Sequence, residues 1–173
     1  MTNFQEHSKQ TAKKTAFIDI EASGLSIRSW PVEVGWVFLE GPPRSLLVAP
    51  EVQWSDDAWD PRAEGLHGIS RDRLRKEGEP AADVCAALNS ALADCLVYSD
   101  APDWDSFWLY RLFNAAGKRP EFDVLDFADV VRPLIAGRED DVIEAANDAA
   151  PRTHRAAQDA LHLRTLHQLA SGT

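Results

Sequence analysis

An apolar run carrying two acids set two positions apart, Phe17-Ile18-Asp19-Ile20-Glu21, leads directly into Ala22-Ser23-Gly24-Leu25. Alternate residues of a β-strand project from the same face, about 7 Å apart, so both carboxylates would share one edge of a sheet. An ionised carboxylate withdrawn from water costs several kcal/mol unless a positive charge lies beside it. The run therefore reads either as a strand end with its acids in solvent or as half of a cation site. Acids arriving from elsewhere in the chain would separate the two readings.

The remaining pattern sets the frame for that strand. Apolar, β-branched and aromatic content predicts strands over 15–21, 32–39 and 44–48, the second of them stopped by Gly41-Pro42-Pro43. Residues 50–65 read as irregular chain with a short helix, and Leu66-His67-Gly68-Ile69-Ser70 as a tight loop whose Ser70 caps the basic segment 71–76. A helix opens at Pro80, with Val84, Leu88, Ala91 and Leu92 on one side, and a short strand covers 95–99. Asp103 is the expected N-cap of a helix over 104–116, followed by a strand at 122–125 and a short helix over 126–134. The acidic segment 137–150 is helical or mobile, and the last helix spans 155–170.

Three strands in succession, then strands separated by helices, predict a mixed sheet with helices on its faces. In such sheets sites gather at the carboxyl ends of central strands, where Glu21 lies. A chain of 173 residues suits one domain, assigned to 15–173, with 1–14 as a flexible polar segment.

Eighteen basic against 28 acidic residues leave a net charge of -10. That excludes an extended basic surface for long nucleic acid, but not a local site where divalent cations bridge acids to phosphates. Residues 1–14 have no apolar signal core and no run approaches the ~20 apolar residues of a membrane span, so the expectation is a cytoplasmic protein with no membrane partner. Cys85 and Cys95, ten apart without a CxxC pair, read as reduced packing residues.

Two further acids stand out. Asp105, in Trp104-Asp105-Ser106-Phe107-Trp108-Leu109, falls in the first turn of a helix just after the strand ending at Ser99, and Asp159 follows His154 by five residues. On a regular helix that spacing turns the two side chains roughly 140° apart, so they converge only if His154 precedes the helix or sits in a loosened first turn.

Together these residues resemble the DEDDh superfamily of 3′-to-5′ exonucleases, which includes the proofreading subunit of bacterial replicative DNA polymerase, ribonuclease T and oligoribonuclease. The resemblance spans about 15–170: Asp19-Ile20-Glu21 matches its first motif, Asp105 with Trp108-Leu109 its second, and His154 with Asp159 its third, in the family's order. Departures are Ala22-Ser23-Gly24 where Thr-Thr-Gly is common, and Ser99-Asp100-Ala101 where a His-Asn pair precedes the second acid. Asp100 and Asp103 compete for the second-motif role, which the trailing Trp-Leu awards to Asp105.

The resemblance implies a ribonuclease H-like α/β fold, a five-stranded mixed sheet flanked by helices. It implies that Asp19, Glu21, Asp105 and Asp159 hold two divalent metal ions, Mg²⁺ or Mn²⁺, and that His154 is the general base. It also implies that Ser23, Gly24, Leu25 and His67 contact the terminal nucleotide. The activity implied is removal of nucleoside monophosphates from the 3′ end of single-stranded or short nucleic acid, RNA or DNA; homodimers occur among relatives. Two alternatives stay open: a phosphodiesterase for dinucleotides or other small phosphodiesters, and a non-catalytic module that binds nucleic acid ends or a protein. Blander readings put His162 and His167 on an exposed helix face and Arg71, Arg73, Arg75 and Lys76 on a solvated one, with Trp30, Trp54 or Trp59 as candidates to stack a base.

Overall fold

The computed structural model describes residues 13–172. Its spine is β1 (Lys14–Ala22), paired antiparallel with β2 (Pro31–Phe38) and parallel with β4 (Cys95–Ser99). Outside these lie β3 (Arg44–Leu47), antiparallel to β2, and β5 (Val124–Asp126), parallel to β4, giving the order β3-β2-β1-β4-β5. This is the mixed five-stranded sheet the alternation predicts.

β1 is apolar on both faces because both faces are covered. On one side Ile18 and Ile20 pack with Val32, Val34 and Trp36 under α3 (Ala81–Leu92) and α4 (Pro102–Ala115), through Leu88 and Leu112. On the other, Phe17 and Val37 meet Phe127 and Val131 of α5 (Phe127–Ile135), Val142 and Ala146 of α6 (Glu139–Ala149), and Leu163 and Leu166 of α7 (Ala156–Ser171). Among the described residues no helix is long and apolar enough to cross a membrane. Cys85 and Cys95 are buried free thiols, and burial pushes Cys85 up to about 12, which suits packing.

Several boundaries move. Leu66 and His67, expected in a loop, close the helix α1 (Pro61–His67), which Asp60 caps through Arg62 N at 2.8 Å with Pro61 at its first position. Arg71–Glu77 forms α2, capped by Ser70 as expected. Asp103 lies inside α4 rather than capping it, because Pro102 takes the first helical position and Ala101 precedes it. The acidic segment is the helix α6, whose Val142 and Ala146, one turn apart, are buried. The segment expected to be flexible lies outside the described residues up to position 12, and Lys14 already opens β1.

One contact between sheet and helix decides where the site can form. A Cβ built on Gly35 of β2 would lie 2.2 Å from the carbonyl carbon of Ala156 and 2.3 Å from Ala157 N, so the backbone of α7 rests directly on the strand. Gly35→Ala must push a helix, not a side chain. Overpacking of this kind costs about 1–3 kcal/mol, which lowers Tm by about 2–12 °C in a chain of this size. Thermal denaturation followed by circular dichroism checks it, and an unchanged Tm would show that α7 can step away from β2 freely.

Candidate active site

The site assembles where β1 and β4 end and where α4 and α7 begin. Asp19 and Glu21 sit on β1, whose register with β2 shifts between Glu21 and Ala22, the last residue of the strand. Glu21 shares a cluster with His154 and Asp159: one ligand atom from each lies within 4.8 Å of the others. Asp159 is buried in the first turn of α7, and His154 precedes that helix with φ 53. The left-handed backbone at His154 removes the helical rotation that the five-residue spacing would otherwise impose. Thr153 N donates to Asp159 Oδ1 at 2.9 Å, which ties the incoming chain to the acid.

Asp105 is buried in the first turn of α4, where Ser99 Oγ at the end of β4 donates to its Oδ2 and Ala101 N donates to that same hydroxyl at 2.9 Å. Ser99 occupies a place where the sequence showed only a departure, and here it orients an acid. Asp103 is exposed. Asp100 stands at the rim and is paired with Arg152.

Electrostatics show that the acids share one small volume. Burial, and then repulsion from Asp105, Glu21 and Asp159, hold the Asp19 carboxyl well above the usual carboxylate range. Burial pushes Glu21 up to about 7, with Asp159 and Glu33 adding to it and Arg155 and Arg152 opposing it. Asp105 rises to about 8, chiefly from burial, against the hydrogen bond from Ser99. Such a group of anions calls for a cation. Clustered carboxylate oxygens with one imidazole suit a hard divalent ion, with Glu21, His154 and Asp159 forming one ready set of donors.

A pH dependence follows from these shifts. Between about pH 5 and pH 8 the folded chain retains protons on Glu21 and Asp105 that the unfolded chain has lost, so unfolding releases protons and stability falls as pH rises. In chelator, Tm is expected to drop across that window, and Mn²⁺ or Mg²⁺ to restore it most at the alkaline end. A chelated Tm that climbs with pH would contradict the burial of these acids.

Of the residues expected to touch a nucleotide, Leu25 alone turns an exposed side chain outward, at 74% exposure. Ser23 is fully buried: its hydroxyl donates to Ala58 O at 3.0 Å and accepts from Trp30 N at 3.0 Å. Gly24 packs against Asp60, with 3.1 Å from a built Cβ to that side chain. His67 is buried, its Nδ1 accepting from Ile69 N at 3.0 Å, and burial lowers its pKa. The side chains of Ser23 and His67 thus turn inward, as does Gly24, and any contact of this loop with a nucleotide would fall to its backbone and to Leu25. Trp30 and Trp54 likewise belong to the core, stacked with centroids 5.4 Å apart, while Trp59 donates from Nε1 to Glu64 at 2.7 Å. Trp104, the residue before Asp105, carries an exposed indole stacked on Trp108 at 5.3 Å.

The helix-face histidines also differ from expectation. His162 is buried and its Nδ1–H donates to Ala150 O at 2.8 Å, fastening the end of α6 to α7, and His167 packs 5.5 Å from the Phe17 ring. They flank the buried stripe that Leu163, Leu166 and Ala170 form on α7, and their polarity masks the width of that stripe in the sequence. Arg71, Arg73 and Arg75 form exposed pairs with Asp56, Glu77 and Asp72, as a solvated face should.

No family model matches the sequence, and no curated relative matches it either. Among solved structures, E. coli exonuclease I shares its fold: TM-score 0.75 and 17% identity over 92% of this chain and 41% of that one. A complex of the same enzyme with a dA16 oligonucleotide gives TM-score 0.74, and the zinc-bound complex with single-stranded DNA gives 0.73 over 40% of its chain. The present chain thus has the ribonuclease H-like α/β fold and spans about two fifths of the length of those structures.

Proposed function

We propose that this exonuclease I-like fold carries a metal-dependent 3′-to-5′ exonuclease, releasing nucleoside monophosphates from the 3′ end of single-stranded or short nucleic acid. The observation that carries it is the convergence of Glu21, His154 and Asp159 within 4.8 Å, with Asp19 and Asp105 electrostatically coupled to the same cluster. The likeness to exonuclease I, whose structures include complexes with single-stranded DNA and a product-bound form, supports it.

Asp19, Glu21, Asp105 and Asp159 would hold two divalent ions, Mg²⁺ or Mn²⁺. When bound, the ions supply positive charge that acidifies water and offsets charge developing on the phosphate. The chain's own part is positional. Ser99 aims Asp105, and Thr153 N holds one oxygen of Asp159. His154, exposed at the mouth of the cluster, accepts the proton of the attacking water, a role typically worth about 10² to 10⁴ in rate. Leu25 offers apolar surface to the terminal nucleotide.

The direct test incubates 5′-labelled single-stranded RNA and DNA with Mg²⁺, with Mn²⁺ and with chelator, resolving the ladders. Metal-dependent shortening from the 3′ end is expected, and its absence on every substrate would remove the proposal. The same assay separates the rival acids. Asp105→Ala should cost at least about 10²-fold in kcat, whereas Asp100→Ala, which releases a rim ion pair with Arg152, should cost under about tenfold. The reverse order would give Asp100 the role of Asp105.

A further inference from the structure

Three acids are almost wholly buried among the described residues: Asp105, Asp159 and Glu33. The first two belong to the cluster. Glu33, 1% exposed on β2, does not, and it stands directly opposite Glu21 in the antiparallel register. Two carboxylates side by side on adjacent strands repel each other, so something must reward the second.

The reward is at the start of α7. Arg155 grips Glu33 with both branches of its guanidinium, Nε to Oε2 at 2.9 Å and Nη2 to Oε1 at 2.7 Å. Ala156 N donates to Oε2 at 3.1 Å, and Ser45 Oγ to Oε1 at 2.9 Å. Four donors on one buried carboxylate satisfy it fully, and they hold its pKa below the usual value against the burial that would raise it.

One of those bonds has a local meaning. Arg155, the residue at the N-cap of α7, makes no side-chain capping bond, and the first helical N–H, that of Ala156, is instead capped by Glu33 from the neighbouring sheet. Gly35, two residues further on the same strand, lets the helix backbone lie against β2. The first turn of α7 is thus fixed in translation by Gly35 and anchored by Glu33. That turn carries Asp159, and the residue just before Arg155 is His154.

We infer that Glu33 is a positioning residue: with Arg155 it sets where α7 begins, and so places His154 and Asp159 against Glu21. The inference rests on the nuclease reading of the cluster and concerns how its two halves, one on the sheet and one on the helix, are brought into register. A purely structural ion pair would affect folding and leave the relative placement of ligands unchanged, and the two roles differ in what they do to metal affinity and to kcat.

The experiment is a double-mutant cycle of Glu33→Gln and Arg155→Gln, with Arg75→Ala on the solvated face of α2 as control. For each protein, Mn²⁺ affinity is measured by titration calorimetry, kcat and KM on a 5′-labelled single-stranded oligonucleotide, and folding by circular dichroism. Glu33→Gln is expected to weaken Mn²⁺ binding and lower kcat by about 10- to 100-fold, the usual scale for residues that orient metal ligands, with KM changed by under about threefold. Because the two residues act as a unit, the double variant should be no worse than the worse single one.

Folded Glu33→Gln protein with Mn²⁺ affinity and kcat within about twofold of wild type would overturn the inference, as would fully additive losses. If Glu33→Gln does not fold, Arg155→Lys carries the test, since it keeps the charge and leaves the Ala156 cap in place while losing the two-pronged grip. A loss of about fivefold or more in both readouts at unchanged Tm supports positioning, and unchanged readouts overturn it. Wild-type protein that binds Mn²⁺ yet cleaves nothing would remove the nuclease reading alone, with the calorimetric arm still deciding the role of Glu33.

Discussion

Glu21→Gln is expected to abolish metal-dependent nuclease activity, by about 10³-fold or more, and at the same time to make the metal-free protein more stable at alkaline pH. The amide keeps the shape of the side chain and removes its charge. Glu21 shares its space with Asp159 and His154 and faces Glu33 across the strand pair, so a carboxylate there is favourable only with a cation present. Its pKa of about 7, against the ordinary 4.5, measures that strain: above pH 7 the ionised form is held in the fold against burial and repulsion. After allowance for solvent screening, relief of this strain is worth ~1–3 kcal/mol, a rise of several degrees in Tm in chelator. Mn²⁺ should then stabilise wild type and leave the variant nearly unaffected. An active Glu21→Gln protein would exclude Glu21 from the ligand set, and a variant less stable than wild type in chelator at pH 8 would show that the acids are not crowded. On the proposed nuclease reading, function and stability pull in opposite directions at this residue, as is common where an active site stores repulsion.

The second large effect is at His154. His154→Ala should lower kcat by about 10²- to 10⁴-fold, the range typical of a lost general base, while Mn²⁺ still titrates into the protein. The exposed ring keeps the change mild for folding: at φ 53 alanine lacks the enrichment that histidine has in this region and adds a modest backbone cost, but no packing is lost. His154 also lies within ligand distance of Glu21 and Asp159, so the metal titration separates two roles. Affinity kept within a few-fold assigns the proton-accepting role. Affinity lost in proportion to kcat would assign His154 as a ligand, and undiminished turnover would remove it from the chemistry.

Much of this site is legible along the chain because its parts are local patterns. The apolar run with acids at alternate positions reads as a strand, and it is β1, the central one. The acids of the second and third motifs read as first-turn residues of helices, and both Asp105 and Asp159 are buried in such turns. Strand and helix periodicities depend on neighbours in sequence, which is why the succession of three strands followed by alternating elements predicts the observed mixed sheet. Misplaced boundaries were those where a proline or a cap competes with apolar periodicity, as at Pro102 and at the end of α1.

Other features have no local signature. Glu33 is an ordinary acid in an apolar strand until Arg155 and Ala156 meet it from 122 and 123 residues away. Gly35 reads as a weak point in a strand until the backbone of α7 is seen to rest on it. Ser23 and His67 look like polar loop residues facing a ligand, yet both are buried, with the Ser23 hydroxyl and the His67 Nδ1 bonded to backbone. His162 looks like a surface histidine and is a buried fastener between helices. Motifs that resemble the exonuclease family single out the acids and the histidine of the candidate site as expectations, and the structure brings Glu21, His154 and Asp159 to within 4.8 Å of one another. How far apart those elements stand, and which ordinary residues hold them there, depends on contacts between segments remote in the chain, where burial and hydrogen bonding are settled only once the helix lies on the sheet.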